Sequence, residues 1–140
     1  MKIYIASSWK NEHAVVMLTE KLCFAGHEVL SFVENNHSEG HGAEKPVSFE
    51  EWVKTDKAQQ SFDYDTSGAT ESDLVIYISP SGTDAWAEVG AAWGASVPVF
   101  GLWAKGEQAG LMRKMVAWCS SVNELMEKVY IKENDNGGLE

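Results

Sequence analysis

Residues 73–103 read DLVIYISPSGTDAWAEVGAAWGASVPVFGLW. The run Asp73 to Ser79 is apolar through its middle and closed by Pro80, the pattern of a strand buried on both faces. TDAWAEVGAAWGA then has helical character, and PVFGLW returns to the composition of a central strand. A strand, a helix and a second strand in so short a stretch make a right-handed crossover between parallel strands.

The same alternation extends in both directions. Lys2 to Ala6 (KIYIA) is a short β-branched run, followed by the turn SSWKNE and a helical pattern with Val15, Leu18 and Leu22 on one face. Gly26 stops that helix, and HEVLSFV begins a second strand. Residues 34–47 (ENNHSEGHGAEKPV) are polar, rich in glycine and histidine and without period, a loop long enough to be functional. Ser48 with Glu51 makes a capping box for a helix anchored by Trp52, and FDYDTSGATESD predicts a further short helix ending near Ser72. Downstream, LMRKMVAWCSS holds a helical turn and a weak strand, and Ser121 with Glu124 caps a last helix, NELMEKVYI.

Strands alternating with helices throughout predict an α/β fold, a single flavodoxin-like three-layer domain with a five-stranded parallel sheet in the order 2-1-3-4-5. Residues 1–132 form this domain, and residues 133–140 read as a polar tail, disordered or a cloning remnant. Ligands in such sheets bind beyond the carboxyl ends of the strands, near the switch point between the first and third. That directs attention to ASSWKNE, to the 34–47 loop and to SPSGTDAWAEVG.

The chain has 140 residues, 44% hydrophobic and 23% charged, the balance of a soluble globular domain. Its net charge of −10 repels a polyanion, so no nucleic-acid partner is expected, although a local pocket can still hold a small phosphate. No apolar run approaches a membrane span, so no membrane partner is expected. Cys23 and Cys119 sit among apolar neighbours and read as buried, reduced thiols of a cytoplasmic protein.

Apart from Asp84 near its start, the helix after Pro80 carries one charge, Glu88, among alanines, tryptophans, Val89 and glycines. A helix apolar all round is a buried one, where a lone carboxylate costs several kcal/mol unless something is gained from it. Ala87, Gly90, Ala91 and Gly94 would let the helix lie close to the sheet. Glu88 falls within the first two turns, where the macrodipole favours its ionised form. Two readings stay open on these grounds: a functional carboxylate, or one that caps a backbone group or pairs with a lysine.

KIYIASSW resembles the first strand and turn of the nucleoside 2-deoxyribosyltransferases, which run Ile-Tyr-Phe, small residues, then Trp. Glu-Val-Gly at 88–90 is similar to their Glu-Leu-Gly or Glu-Ala-Gly, and DTSGATESDLVIYI to their Asp-Leu-Asn-Gly segment leading into the third strand. The resemblance covers residues 2–9 and 65–103. It implies a (deoxy)nucleoside or nucleotide substrate and no cofactor or metal. It also implies a homo-oligomer, a dimer or higher, in which a neighbouring subunit completes the site.

Carried over, the resemblance makes Glu88 the nucleophile at the anomeric carbon, suited to a cation-like transition state. Tyr4 matches the tyrosine that holds this glutamate, although it also suits a strand as a packing aromatic. Asp65, eight residues before Asp73, matches the group that contacts and protonates the departing base, although a turn aspartate reads the same way. Trp9 would wall the base pocket or simply pack. The aspartate that transferases carry six residues before the nucleophile is Gly82 here, with Asp84 two residues away as its replacement or as a helix cap.

A related branch, the 2′-deoxynucleoside 5′-monophosphate N-glycosidases, passes the sugar to water. It holds the phosphate with serines and a basic residue, places that Ser7, Ser8, Lys10, Ser79 and Ser81 could fill here. His37 and His41 with Glu39 and Glu44 are the one group of metal-ligand types, and their loop reads as a mobile lid in preference to a zinc site. The tryptophans at 52, 86, 93, 103 and 118 occupy core-like positions. A receiver domain would need acidic residues where Ala6, Ser7 and Ser79 stand, whereas a non-catalytic nucleotide-binding or Toll-like module on this scaffold remains the alternative to an enzyme.

Overall fold

The computed structural model describes residues 1–35 and 48–137. His37, Glu39, His41 and Glu44 therefore lie outside the described residues. The five strands are β1 (Lys2–Ala6), β2 (Glu28–Ser31), β3 (Leu74–Ile78), β4 (Val99–Leu102) and β5 (Ala117–Cys119). They pair in the order β2-β1-β3-β4-β5, every pair parallel, which is the order expected from the sequence. The helices are α1 (Glu12–Phe24), α2 (Phe49–Val53), α3 (Asp56–Glu71), α4 (Thr83–Gly94) and α5 (Val122–Gly137).

Alternation along the strands divides the core into two layers. Ile3, Ile5, Leu74, Ile76 and Ile78 point to the side covered by Val15, Leu18 and Leu22 of α1 and by Leu125 and Val129 of α5. Tyr4, Ala6, Val75 and Tyr77 point to the other side, beneath Ala69 of α3 and Ala85, Val89 and Ala92 of α4. Gly68 lets α3 come down on this second face, because a Cβ there would lie 2.4 Å from Cδ2 of Tyr4. Gly26 ends α1 at φ +95°, with its N–H on Cys23 O and that of His27 on Leu22 O, a left-handed cap that suits glycine.

The caps explain the helix lengths. Ser48 Oγ accepts from Glu51 N at 3.2 Å and starts α2, as the capping box predicts. That helix ends after one turn, and Thr55, whose Oγ1 accepts from Ala58 N at 3.1 Å, starts a separate α3 of 16 residues. The short helix expected around 62–73 is the second half of this longer one. Ser121 caps α5 as expected, and the helix runs on to Gly137, past the residues that the apolar pattern marked.

Three expectations are overturned. Cys23 is exposed, because it lies beside the Val15–Leu18–Leu22 stripe and not on it, whereas Cys119 is buried. Trp93 and Trp103 are 61% and 51% exposed: Trp93 follows the sheet-facing Ala92 by a 100° turn of helix, and Trp103 lies one residue beyond β4. Finally, α4 is buried on one stripe only, and a Cβ at Gly90 or Gly94 would meet open space. Those glycines do not bring the helix onto the sheet.

Candidate functional site

At the carboxyl ends of β1 and β3 lies a cleft of about 430 Å³. One wall is the turn after β1, with Ser7, Ser8, Trp9 and Lys10. The opposite wall is the β3–α4 connection, with Ser81, Gly82, Thr83 and Asp84, and Glu88 follows one turn further along α4. Asp65 of α3 and Phe32, just past β2, complete the lining. Nine of the eleven sequence-predicted site residues thus line one cleft; Tyr4 lies beneath it, and Ser79 is not part of its lining.

Tyr4 is fully buried in β1, and its hydroxyl donates to Oε1 of Glu88. Asp65 lies within hydrogen-bonding reach of the same hydroxyl. Burial above all holds the Tyr4 phenol well above its ordinary range, and the charges and hydrogen bonds of Glu88 and Asp65 push it further in the same direction. These surroundings favour the phenol as a neutral donor. It anchors a carboxylate that reaches it from the second turn of α4 and stands next to a second carboxylate from α3.

The polar groups of the walls fall into two sets. The Ser7 hydroxyl donates to Ile78 O at 2.9 Å and accepts from Asn11 Nδ2 at 3.0 Å, so its proton is already committed within the protein. Ser79 is buried behind the cleft, and its Oγ accepts from Ala104 N at 2.7 Å. Of the serines expected at the two strand exits, Ser8 and Ser81 are the ones left to face a ligand. Ser81 Oγ and Trp9 Nε1 are buried with no hydrogen-bond partner among the described residues, a costly state that a polar ligand would relieve. Lys10 stands exposed at the lip. No group of three or more His, Cys, Asp or Glu among the described residues could hold a metal ion.

Two residues of the site escaped the sequence reading. Phe32 packs edge-on against Trp9, with ring centroids 4.7 Å apart at 68°, making an aromatic corner at one end of the cleft. The rule that parallel strands open their sites at their carboxyl ends points to it, since β2 neighbours β1. Asn11 joins the two walls by its amide, which no pattern in the turn signals.

A second tyrosine–glutamate pair lies on the same sheet face. The Tyr77 hydroxyl donates to Oε1 of Glu107, whose side chain is 1% exposed and whose Oε2 lies 3.2 Å from Arg113 Nη2. Arg113 stacks over Trp86 at 4.0 Å, and Tyr77 lies against the same indole at 4.7 Å. Burial, followed by the hydrogen bond to Glu107, raises the Tyr77 phenol.

No protein-family model and no curated protein sequence matches the chain. Solved structures do. A 2-deoxyribosyltransferase from Bacillus psychrosaccharolyticus superposes with a TM-score of 0.68 at 23% identity, over 89% of this chain and 90% of that one. A conserved protein from Enterococcus faecalis V583 gives 0.68 at 16% identity, over 94% and 98%. A CMP N-glycosidase from Clostridium botulinum gives 0.56 at 19% identity, over 94% and 99%. Along most of its length the chain therefore has the fold that a 2-deoxyribosyltransferase and a CMP N-glycosidase share.

Proposed function

We propose that the cleft cleaves the N-glycosidic bond of a (deoxy)nucleoside or (deoxy)nucleotide, with Glu88 as the nucleophile. The observation that carries this reading is the Tyr4–Glu88 hydrogen bond at the floor of the cleft, with Asp65 beside it. The Glu88 carboxylate attacks the anomeric carbon as the bond from that carbon to the base nitrogen breaks, and Asp65, taking part in its carboxylic-acid form, gives the departing base its proton. The resulting glycosyl ester is resolved by a second base, which receives the sugar, or by water; the proton that the incoming group loses passes to Asp65, and either step restores the Glu88 carboxylate. Trp9 and Phe32 offer the aromatic corner that a planar base fits. Transfer to another base is the first reading. The wall donors Ser8, Lys10 and Ser81 favour a 5′-nucleotide substrate, and with it the hydrolytic alternative. A cytoplasmic homo-oligomer acting on small molecules accords with this reading.

The test is incubation with deoxynucleosides and their 5′-monophosphates, with and without an acceptor base, followed by chromatography of the free base and the exchanged nucleoside. Wild-type protein should release base, and Glu88→Ala should not. The same null result from both would refute the proposal. Ligand-dependent stabilisation that survives Glu88→Gln, with no product from wild type, would establish a binding module instead.

A further inference from the structure

The two walls of the cleft leave neighbouring strands, β1 and β3, and have no sheet hydrogen bonds of their own to keep them apart at a fixed distance. Asn11 spans them. Its backbone N–H closes the turn on Ser8 O at 2.9 Å, which places the side chain between the walls. Its Nδ2 lies 2.7 Å from Pro80 O, 3.0 Å from Ser7 Oγ and 3.5 Å from Ile78 O. Ser7 Oγ in turn donates to Ile78 O. The two amide hydrogens thus serve one acceptor in each wall, with the Ile78 carbonyl shared at the edge. Pro80 O immediately precedes Ser81, the wall residue whose buried hydroxyl has no partner among the described residues.

We propose that Asn11 is a positioning residue that sets the separation of the cleft walls, and through it the grip on the polar end of the substrate. Its part in substrate binding rests on the glycosidic reading above, whereas its hold on the walls does not. The carboxylate is anchored separately: Tyr4 lies within β1, and α4 is seated on the sheet by Ala85, Val89 and Ala92. Loss of the Asn11 donor should therefore loosen binding more than chemistry. Asparagine is needed because every acceptor that it meets is an oxygen. An aspartate has the same shape, but it would turn a carboxylate toward two carbonyls and leave Pro80 O without the Asn11 donor, whereas Ile78 O keeps that of Ser7.

That isosteric pair supplies the experiment. Wild type, Asn11→Ala and Asn11→Asp are compared by hydrogen exchange and by kinetics on the best-cleaved deoxynucleoside or deoxynucleotide. The Trp86 amide, which is bonded to Gly82 O of the wall, should exchange about tenfold faster or more in both variants, with the amides of β3 unchanged. KM should rise about tenfold, with kcat within about threefold of wild type. If Asn11→Asp matches wild type in exchange and in KM, the residue only fills space and the proposal is overturned. A fall in kcat at constant KM overturns it too, because Asn11 would then act on the chemistry. If wild type cleaves nothing, the glycosidic reading fails and the exchange comparison still decides whether Asn11 holds the walls. Should Asn11→Asp not fold, Asn11→Ala carries the same comparison.

Discussion

Tyr4 and Glu88 are 84 residues apart in sequence, yet the hydroxyl of one donates to the carboxylate of the other. Tyr4 comes from the strand at the centre of the switch point, and Glu88 from the helix that follows the neighbouring strand. Removing the hydroxyl alone tests what the contact does. Tyr4→Phe keeps the ring and frees the carboxylate to change rotamer. Base release should fall about 10- to 100-fold, the equivalent of losing a hydrogen bond to a charged group. Steady-state kinetics beside a thermal melt separates this from unfolding, since the fold should survive.

Gly68 controls the same contact from behind. A methyl group there would lie 2.4 Å from Cδ2 and 2.8 Å from Cε2 of a tyrosine that has no room to retreat. Gly68→Ala should cost about 1–3 kcal/mol by overpacking and should also lower activity by moving the phenol off Glu88. Urea melts give the first effect and base release the second. A stable, fully active variant would show that α3 can shift without disturbing the site.

Alkaline pH should unfold the protein through its buried phenols. The folded state holds Tyr4 and Tyr77 above their ordinary range, whereas the unfolded chain releases these protons near pH 10. Stability is then fully present below about pH 10 and falls above it, by about 1.4 kcal/mol per pH unit for each tyrosine. Urea midpoints measured between pH 9 and 11, with phenolate absorbance followed in parallel, should show the two transitions coinciding. Tyr4→Phe should flatten the fall.

Glu107 and Arg113 form an ion pair whose carboxylate is sealed from solvent. Glu107→Gln leaves a half-buried guanidinium opposite a neutral amide and should cost about 3 kcal/mol. Arg113→Met in that background should recover part of the loss, because it removes the stranded charge. A double-mutant cycle by urea denaturation checks this, and strictly additive losses would contradict it.

The sheet order was legible because each strand is a short β-branched or apolar run and each crossover has one hand. The location of the cleft followed from that order, and Glu88 stood out as the lone charge in the body of its helix. Less was legible where a side chain's surroundings depend on packing between elements. Trp93 looks like a core residue until the sheet-facing stripe of α4 is known to pass through Ala85, Val89 and Ala92. Ser7 looks like a ligand donor until Ile78 O is seen to take its proton. Asn11 is an ordinary turn residue in sequence, since its acceptors lie near residue 80.

Tyr4 and Tyr77 stand on adjacent strands and face the same way, each handing its hydroxyl to a glutamate, one in an open cleft and one sealed beneath Arg113. The molecule thereby contains both a sample and its reference. The two phenol–carboxylate pairs share one fold, one temperature and one solvent, and differ in access. Infrared or isotope-edited spectra that resolve the two carboxylates would show any ligand entering the cleft as a shift in one signal against the stillness of the other.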